Sequence, residues 1–222
     1  MVSGCSGFIV LNGWRSVSRF VGADWAALPV EWSGAKSSPT FLRQNRFGVS
    51  MQSLNATLAL ELGDISVTVR AETAADLDFS ASVYALPRAD EMASVDWSEA
   101  MKQSFCRQQF DAQRTHYVNH YPRAQFLIIQ RDDEPVGRVY FEQTAHELRL
   151  MEITLVHAAR NLGIGGAVGR ALKWRAHNAG VPIGFHVEPF NPARRLYERQ
   201  GFREVETRGL YLYMVSAPPA SL

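Results

Sequence analysis

The sequence predicts an α/β domain of the α+β kind: a mostly antiparallel sheet that runs into a β-α-β-α unit and carries about four helices. Three observations predict it. Ile65, Val67 and Val69 alternate with Ser66, Thr68 and Arg70, the period of a half-buried strand. Three later runs, Phe126–Ile129, Val136–Phe141 and Leu148–Val156, lie close together in the chain and read as a meander. The last of them leads into Arg160-Asn161-Leu162-Gly163-Ile164-Gly165, and helical spacing begins directly behind that turn.

The elements follow in order. Residues 1 to about 63 show no sustained period. Gly, Ser and Asn are mixed there with the isolated aromatics Trp14, Phe20, Trp25 and Trp32, and Ser33 to Pro39 is a loop cluster. This reads as an irregular or poorly ordered extension, with Met51 a candidate true start. The alternative is a segment that docks a partner through its aromatics. The domain is expected over 64–217, with a tail at 218–222.

Behind the strand at Ile65, Thr73 caps a helix that stops before Pro87. Arg88 to Asp96 is a loop with helical character. Ser98-Glu99 opens a longer helix carrying Met101, Phe105, Gln109 and Ala112, which stops before Pro122. Asp132-Asp133-Glu134-Pro135 turns the first hairpin of the meander. The helix after the glycine turn carries Ile164, Val168, Ala171, Leu172 and Arg175 and ends at Gly180, with Pro182 beyond. Pro182–Glu188 is a strand, Asn191-Pro192 opens a short helix that closes at Gly201, and Phe202–Val205 and Leu210–Val215 are the last two strands.

Composition excludes several classes. The net charge of +1 gives no electrostatic reason to expect nucleic acid or an anionic membrane as partner. The two cysteines, Cys5 and Cys106, have no metal-ligand spacing, and a cytoplasmic, reducing setting is the simpler reading. No apolar run approaches the roughly 20 residues that span a bilayer. His116-Tyr117 and His120-Tyr121 repeat one helical turn apart, but no metalloprotease-type spacing accompanies them, so no metal is expected.

The glycine turn is where chemistry enters. A helix N-terminus offers N–H groups without internal partners and the positive end of the helix dipole, so it holds anions. Arg160 adds a fixed charge, and the glycines let a phosphate approach the backbone. A dinucleotide site with Glu188 on the ribose is excluded by layout. The meander precedes the turn, and too little chain follows Glu188 for a second mononucleotide half.

Arg160-Asn161-Leu162-Gly163-Ile164-Gly165, together with Asn191, Leu196-Tyr197 and Gly201-Phe202 in this order of elements, resembles the GNAT superfamily of acyl-CoA-dependent N-acyltransferases. The resemblance runs from about residue 64 onward. It implies a GNAT-type sheet splayed at the acyl-CoA site, acetyl-CoA as cosubstrate, and direct transfer to a primary amine in a ternary complex. It also implies that the main chain of Ile153, Thr154 and Leu155 pairs with the pantetheine arm. The N–H groups of Asn161, Leu162, Gly163, Ile164, Gly165 and Gly166, with Arg160, wrap the pyrophosphate, and Asn191 and Tyr197 complete the cosubstrate site.

Amine attack on a thioester needs a deprotonated amine, a donor for the developing oxyanion and a proton for the leaving thiolate. By the resemblance Tyr197 is the general acid, and main-chain N–H on the Leu155 strand is the oxyanion donor. Glu152 or His186 would act as base or position a water; His186 has an ordinary pKa suited to neutral pH. Each of these side chains is also readable as a plain core or strand residue. Trp97, Tyr117 and Tyr121 are candidate walls of the acceptor pocket, and Arg194-Arg195 a solvated helix face. The acceptor, a small-molecule or peptide amine, is not specified by any motif. A homodimer is compatible with the reading. The runner-up is a non-catalytic acyl-CoA-binding or regulatory module on the same fold.

Overall fold

The computed structural model describes residues 58–62, 65–191 and 193–219. The expectations for residues 1–57, including the start at Met51, and those for 220–222 lie outside them. Among the described residues eight strands form one open sheet: β1 (Leu58–Leu62), β2 (Ile65–Ala71), β3 (Ala124–Arg131), β4 (Glu134–Gln143), β5 (Leu148–Leu155), β6 (Ile183–Val187), β7 (Arg203–Arg208) and β8 (Tyr211–Ser216). The helices are α1 (Leu77–Ala85), α2 (Ala89–Ala93), α3 (Glu99–His120), α4 (Ile164–Asn178) and α5 (Arg194–Arg199). The strand order is β1-β2-β3-β4-β5-β6-β8-β7. Neighbours are antiparallel except β5 and β6, which are parallel. None of the described helices is long and apolar enough to cross a membrane.

The predicted starts and stops have physical counterparts. Thr73 N–H and Oγ1 both donate to Asp76 Oδ2, fixing the 3-10 turn that leads into α1. Ser98 Oγ accepts from Met101 N–H at the head of α3. Asp132 and Asp133 take positive φ in the β3–β4 turn, which their short polar side chains tolerate.

Two differences are informative. The sheet begins earlier than the sequence predicts, because β1 pairs with β2 from Leu58↔Val69 to Leu62↔Ile65. Five residues carry too little period to be read as a strand until a partner is present. The inward face of α3 is Cys106, Phe110 and Gln113, whereas Met101 is 54% exposed. α3 is strongly polar, so packing against α1 sets its rotation: the Tyr84 and Phe110 rings meet at 6.0 Å.

The sheet has two unlike faces. Against α4 and α5 lies the main core, which takes in Val139, Phe141, Leu150, Ile153, Leu155, Val168, Leu172, Phe185 and Tyr197. On the opposite face, toward α1 and α3, Arg138, Tyr140 and Glu152 are buried polar groups. A bulge makes this possible. The β4–β5 register runs Tyr140↔Glu152 and then Phe141↔Leu150, so Met151 is left over. Leu148 and Leu150 face α4; strict alternation would send Glu152 there too, and the extra residue turns it to the other side.

β5 and β6 pair only at Leu148↔Ile183 and Arg149↔Gly184, and beyond those residues the two strands part. The end of β5 is therefore held mainly by β4. At Gly137 a Cβ would come within 2.5 Å of Leu155 Cδ2 and closer still to Thr154 O. Gly137→Ala should push β5 off β4 and cost about 1–3 kcal/mol in a denaturant titration. An unchanged midpoint would show that this close approach is not needed.

Candidate active site

The parted strands leave the end of β5 without a strand partner on its β6 side. Val156 N–H donates to Val136 O at 2.9 Å, so in this antiparallel ladder Thr154 also turns its peptide groups to β4. Ile153 and Leu155 then turn theirs toward the gap. Arg160 Nε donates to Leu155 O at 3.1 Å, as this direction requires. Of the three residues expected to meet a ligand through their backbone, Ile153 and Leu155 turn their peptide groups to the gap side, both buried, and Thr154 turns its own to β4.

Directly after β5, His157–Ala159 forms a 3-10 turn and Arg160 is extended. Asn161 (φ 63°) and Gly163 (φ 82°) are left-handed, and α4 begins at Ile164. Ala167 N–H closes onto Gly163 O at 3.0 Å. The N–H groups of Ile164, Gly165 and Gly166 thus precede the first helical bond, and the first turn holds no acidic side chain. The result is a set of N–H donors at a positive dipole end, an arrangement that favours an anion.

Tyr197 is placed by both ends of α5. Asn191 Oδ1 accepts from Ala193 N–H at 2.9 Å, and Gly201 (φ 83°) turns the chain so that Phe202 N–H reaches Tyr197 O at 3.0 Å. The Tyr197 ring is buried, edge-on to Phe185 of β6 at 4.7 Å and 6.3 Å from Phe202. Arg194 donates to Pro189 O and pairs with Glu198 and Glu204 on the outer face of α5.

Glu152 and His186 lie on the α3 face in different company. Glu152 is 1% exposed and pairs with Arg138. His186 is half-buried, its ring 4.8 Å from that of Tyr213. Burial first, then the charges of Arg208 and Arg149, pull its pKa down to about 4. The ordinary pKa expected from the sequence is therefore not kept: His186 is neutral at pH 7 and far weaker as a base than an ordinary histidine.

Folded His186 takes its proton near pH 4, against roughly 6.5 in the unfolded chain. Between those values the folded state binds fewer protons, so its stability is complete above about 6.5 and is lost as pH falls toward 4. His186→Gln should flatten this acid slope, by roughly 3 kcal/mol at most and less after solvent screening. Denaturation midpoints compared at pH 7 and 4.5 test it; identical slopes would show that His186 is not held neutral.

Tyr117 packs edge-on to Tyr140 at 6.5 Å, and the Arg149 guanidinium lies 5.9 Å from the Tyr121 ring, so both tyrosines border this face. Trp97 instead packs on Phe105 at 5.5 Å, near the start of α3. His116 and His120 stack at 4.2 Å, with His120 Nδ1 2.9 Å from His116 O. No metal-binding group of three or more His, Cys, Asp or Glu occurs among the described residues.

Sequence reading missed Arg138, Tyr140, Glu72 and Ser80. The available signal was a lone arginine within the apolar run Val136 to Phe141.

Comparison with known proteins agrees with this architecture. Residues 122–204 match the family model described as acetyltransferase (GNAT) domain. Among solved structures, the chain resembles the PaiA N-acetyltransferase of Thermoplasma acidophilum in complex with coenzyme A. The TM-score is 0.54 at 18% identity, over 68% of this chain and 98% of that one. A histone acetyltransferase HPA2 and related acetyltransferase from Corynebacterium glutamicum gives 0.51 at 19% identity, over 69% and 97%. Mycobacterium smegmatis RimJ in complex with CoA-disulfide gives 0.50 at 18%, over 72% and 86%. At these identities the likeness is one of fold. No curated protein matches the sequence. The family match spans the parted strands, the glycine turn and Tyr197, so residues 122–204 carry the features of an acetyltransferase (GNAT) domain within a fold shared with these structures.

Proposed function

We propose that this protein is an N-acetyltransferase that moves the acetyl group of acetyl-CoA to a primary amine by direct attack in a ternary complex. The observation that carries the reading is the parting of β5 from β6 directly ahead of a donor-lined, acid-free helix N-terminus. Two structural relatives are described as complexes with coenzyme A or its disulfide, which supports the same cosubstrate here.

In this reading Arg160 and the N–H groups of Asn161 to Gly166 hold the pyrophosphate. The gap-facing main chain of Ile153 and Leu155 pairs with the pantetheine arm, with Thr154 between them fixing the strand to β4. Asn191 keeps α5 in register. A bond forms between the amine nitrogen and the acyl carbon, and the carbon–sulfur bond breaks. A main-chain N–H on β5 steadies the oxyanion, and Tyr197 gives its proton to the leaving thiolate. His186 and Glu152 share the face on which the amine arrives. With its low pKa, His186 accepts a hydrogen bond from the amine or a water rather than storing the proton; the proton that the amine nitrogen loses leaves through water, and Tyr197 regains one from solvent. Glu152 acts on position.

Thiol release from acetyl-CoA across a panel of amines (polyamines, amino acids, aminoglycosides and peptides with free N-termini) is the direct test. Turnover with at least one amine is expected. Acetyl-CoA affinity without thiol release for any of them would make this a binding module instead.

A further inference from the structure

The Arg138 side chain is fully buried in the middle of the sheet. Nε and Nη2 donate to Glu152 Oε1 at 3.1 and 2.5 Å, and Nη1 donates to Ser80 O at 3.0 Å and to Tyr140 OH at 3.3 Å. The rings of Tyr140, Phe110 and Tyr84 surround the guanidinium at 4.8, 5.1 and 5.6 Å. Such a pair is a poor device for stability. The loss of hydration offsets the attraction, and apolar side chains of similar size often serve as well or better. Glu152 Oε2 is also buried without a hydrogen-bond partner among the described residues, which adds to the cost.

The location supplies another reason for it. Glu152 follows the bulge at Met151, and its Oε1 also accepts from Thr154 Oγ1 at 3.2 Å. One carboxylate oxygen thus ties β4 to the residues on both sides of Ile153. We infer that Arg138 is a positioning residue: through Glu152 and Thr154 it fixes the gap-facing main chain of Ile153 and Leu155. This inference rests on the acyl-transfer reading above.

The hold extends to the helices. Tyr140 OH donates to Glu72 Oε1 at 2.6 Å, and Glu72 also accepts from Ser80 Oγ and from Arg114 Nη1. Burial pushes the Tyr140 hydroxyl pKa up, so it stays a donor. A continuous chain of bonds, Arg114–Glu72–Tyr140–Arg138–Glu152–Thr154, therefore joins α3 to the strand beside the gap. The end of α3 borders the face where the amine arrives, so the network sets the thioester strand against the acceptor wall.

The test uses the full chain with an amine that the wild type turns over. In the double variant Arg138→Met/Glu152→Leu, apolar side chains of similar length replace the pair. The expected result is a melting temperature close to wild type, coenzyme A affinity within about 3-fold, an unchanged KM for acetyl-CoA and a kcat lower by about 10–100-fold. Arg138→Lys should restore part of kcat relative to the double variant. Glu152→Gln keeps the shape and the acceptor oxygen and covers the case in which the double variant does not fold. It should lower kcat about 10-fold without removing a limb of the pH profile.

Wild-type kcat in a folded double variant overturns the inference. So does a Glu152→Gln profile that has lost an ionisation limb, which would make Glu152 the proton acceptor. Wild-type protein that binds coenzyme A but releases thiol with no amine overturns the acyl-transfer reading, and this inference with it.

Discussion

Tyr197→Phe is expected to lower kcat by at least roughly 100-fold while leaving the affinity for acetyl-CoA near wild type. The reason is local. The ring contributes its packing against Phe185 and Phe202, and phenylalanine keeps that packing. In the proposed mechanism the hydroxyl contributes a proton for the leaving sulfur, and phenylalanine lacks one. Losing one hydroxyl should cost stability only about 1 kcal/mol, so the melting temperature moves by a few degrees. Stopped assays of thiol release at saturating acetyl-CoA give kcat directly, and titration of coenzyme A gives the affinity. Full turnover in the variant would make Tyr197 a core residue of α5 and leave the thiolate to be protonated by water.

Arg160→Glu should act on the other half of the site. It replaces a permanent positive charge with a negative one at the mouth of α4, where the helix N-terminus favours an anion and the first turn holds no acidic side chain. It also removes the Nε donor that holds Leu155 O. A charge-assisted hydrogen bond contributes about 1.5–3 kcal/mol, and repulsion adds to its loss, so coenzyme A should bind about 100-fold more weakly. Arg160→Gln keeps a donor without charge and should fall between, at about 10-fold. Isothermal titration at two salt concentrations separates the charge effect, which high salt weakens, from the loss of the loop's shape. Wild-type affinity in Arg160→Glu would place the pyrophosphate away from this turn.

What could be read from the residues, and what could not, divides by distance along the chain. The Thr73 and Ser98 caps, the stop before Pro122 and the left-handed Gly163, Gly180 and Gly201 were legible because each is settled by a few neighbouring residues. The glycine turn and the Asn191 cap were legible for the same reason, whereas Tyr197 was marked by the family resemblance that these motifs carry. The rotation of α3 was not legible. Its apolar positions are sparse, and the partner that selects Phe110 is Tyr84 of α1.

The candidate bases show the division most clearly. From the residues alone, Glu152 and His186 were two strand side chains of ordinary acidity. One leftover residue, Met151, turned Glu152 from the face of Leu148 and Leu150 to the face of Arg138. Burial beside Arg208 and Arg149 lowered the His186 pKa to about 4. Neither outcome has a local signature, because register depends on the whole β4–β5 pairing and a charge's acidity on groups brought near it by folding. By itself the sequence determined the order of elements and the turn that can hold a pyrophosphate, since periods, caps and glycines act over a few residues. Only the tertiary structure decided where the sheet opens, which peptide groups face the gap and how Arg138 holds Glu152, because each of these joins residues far apart in the chain.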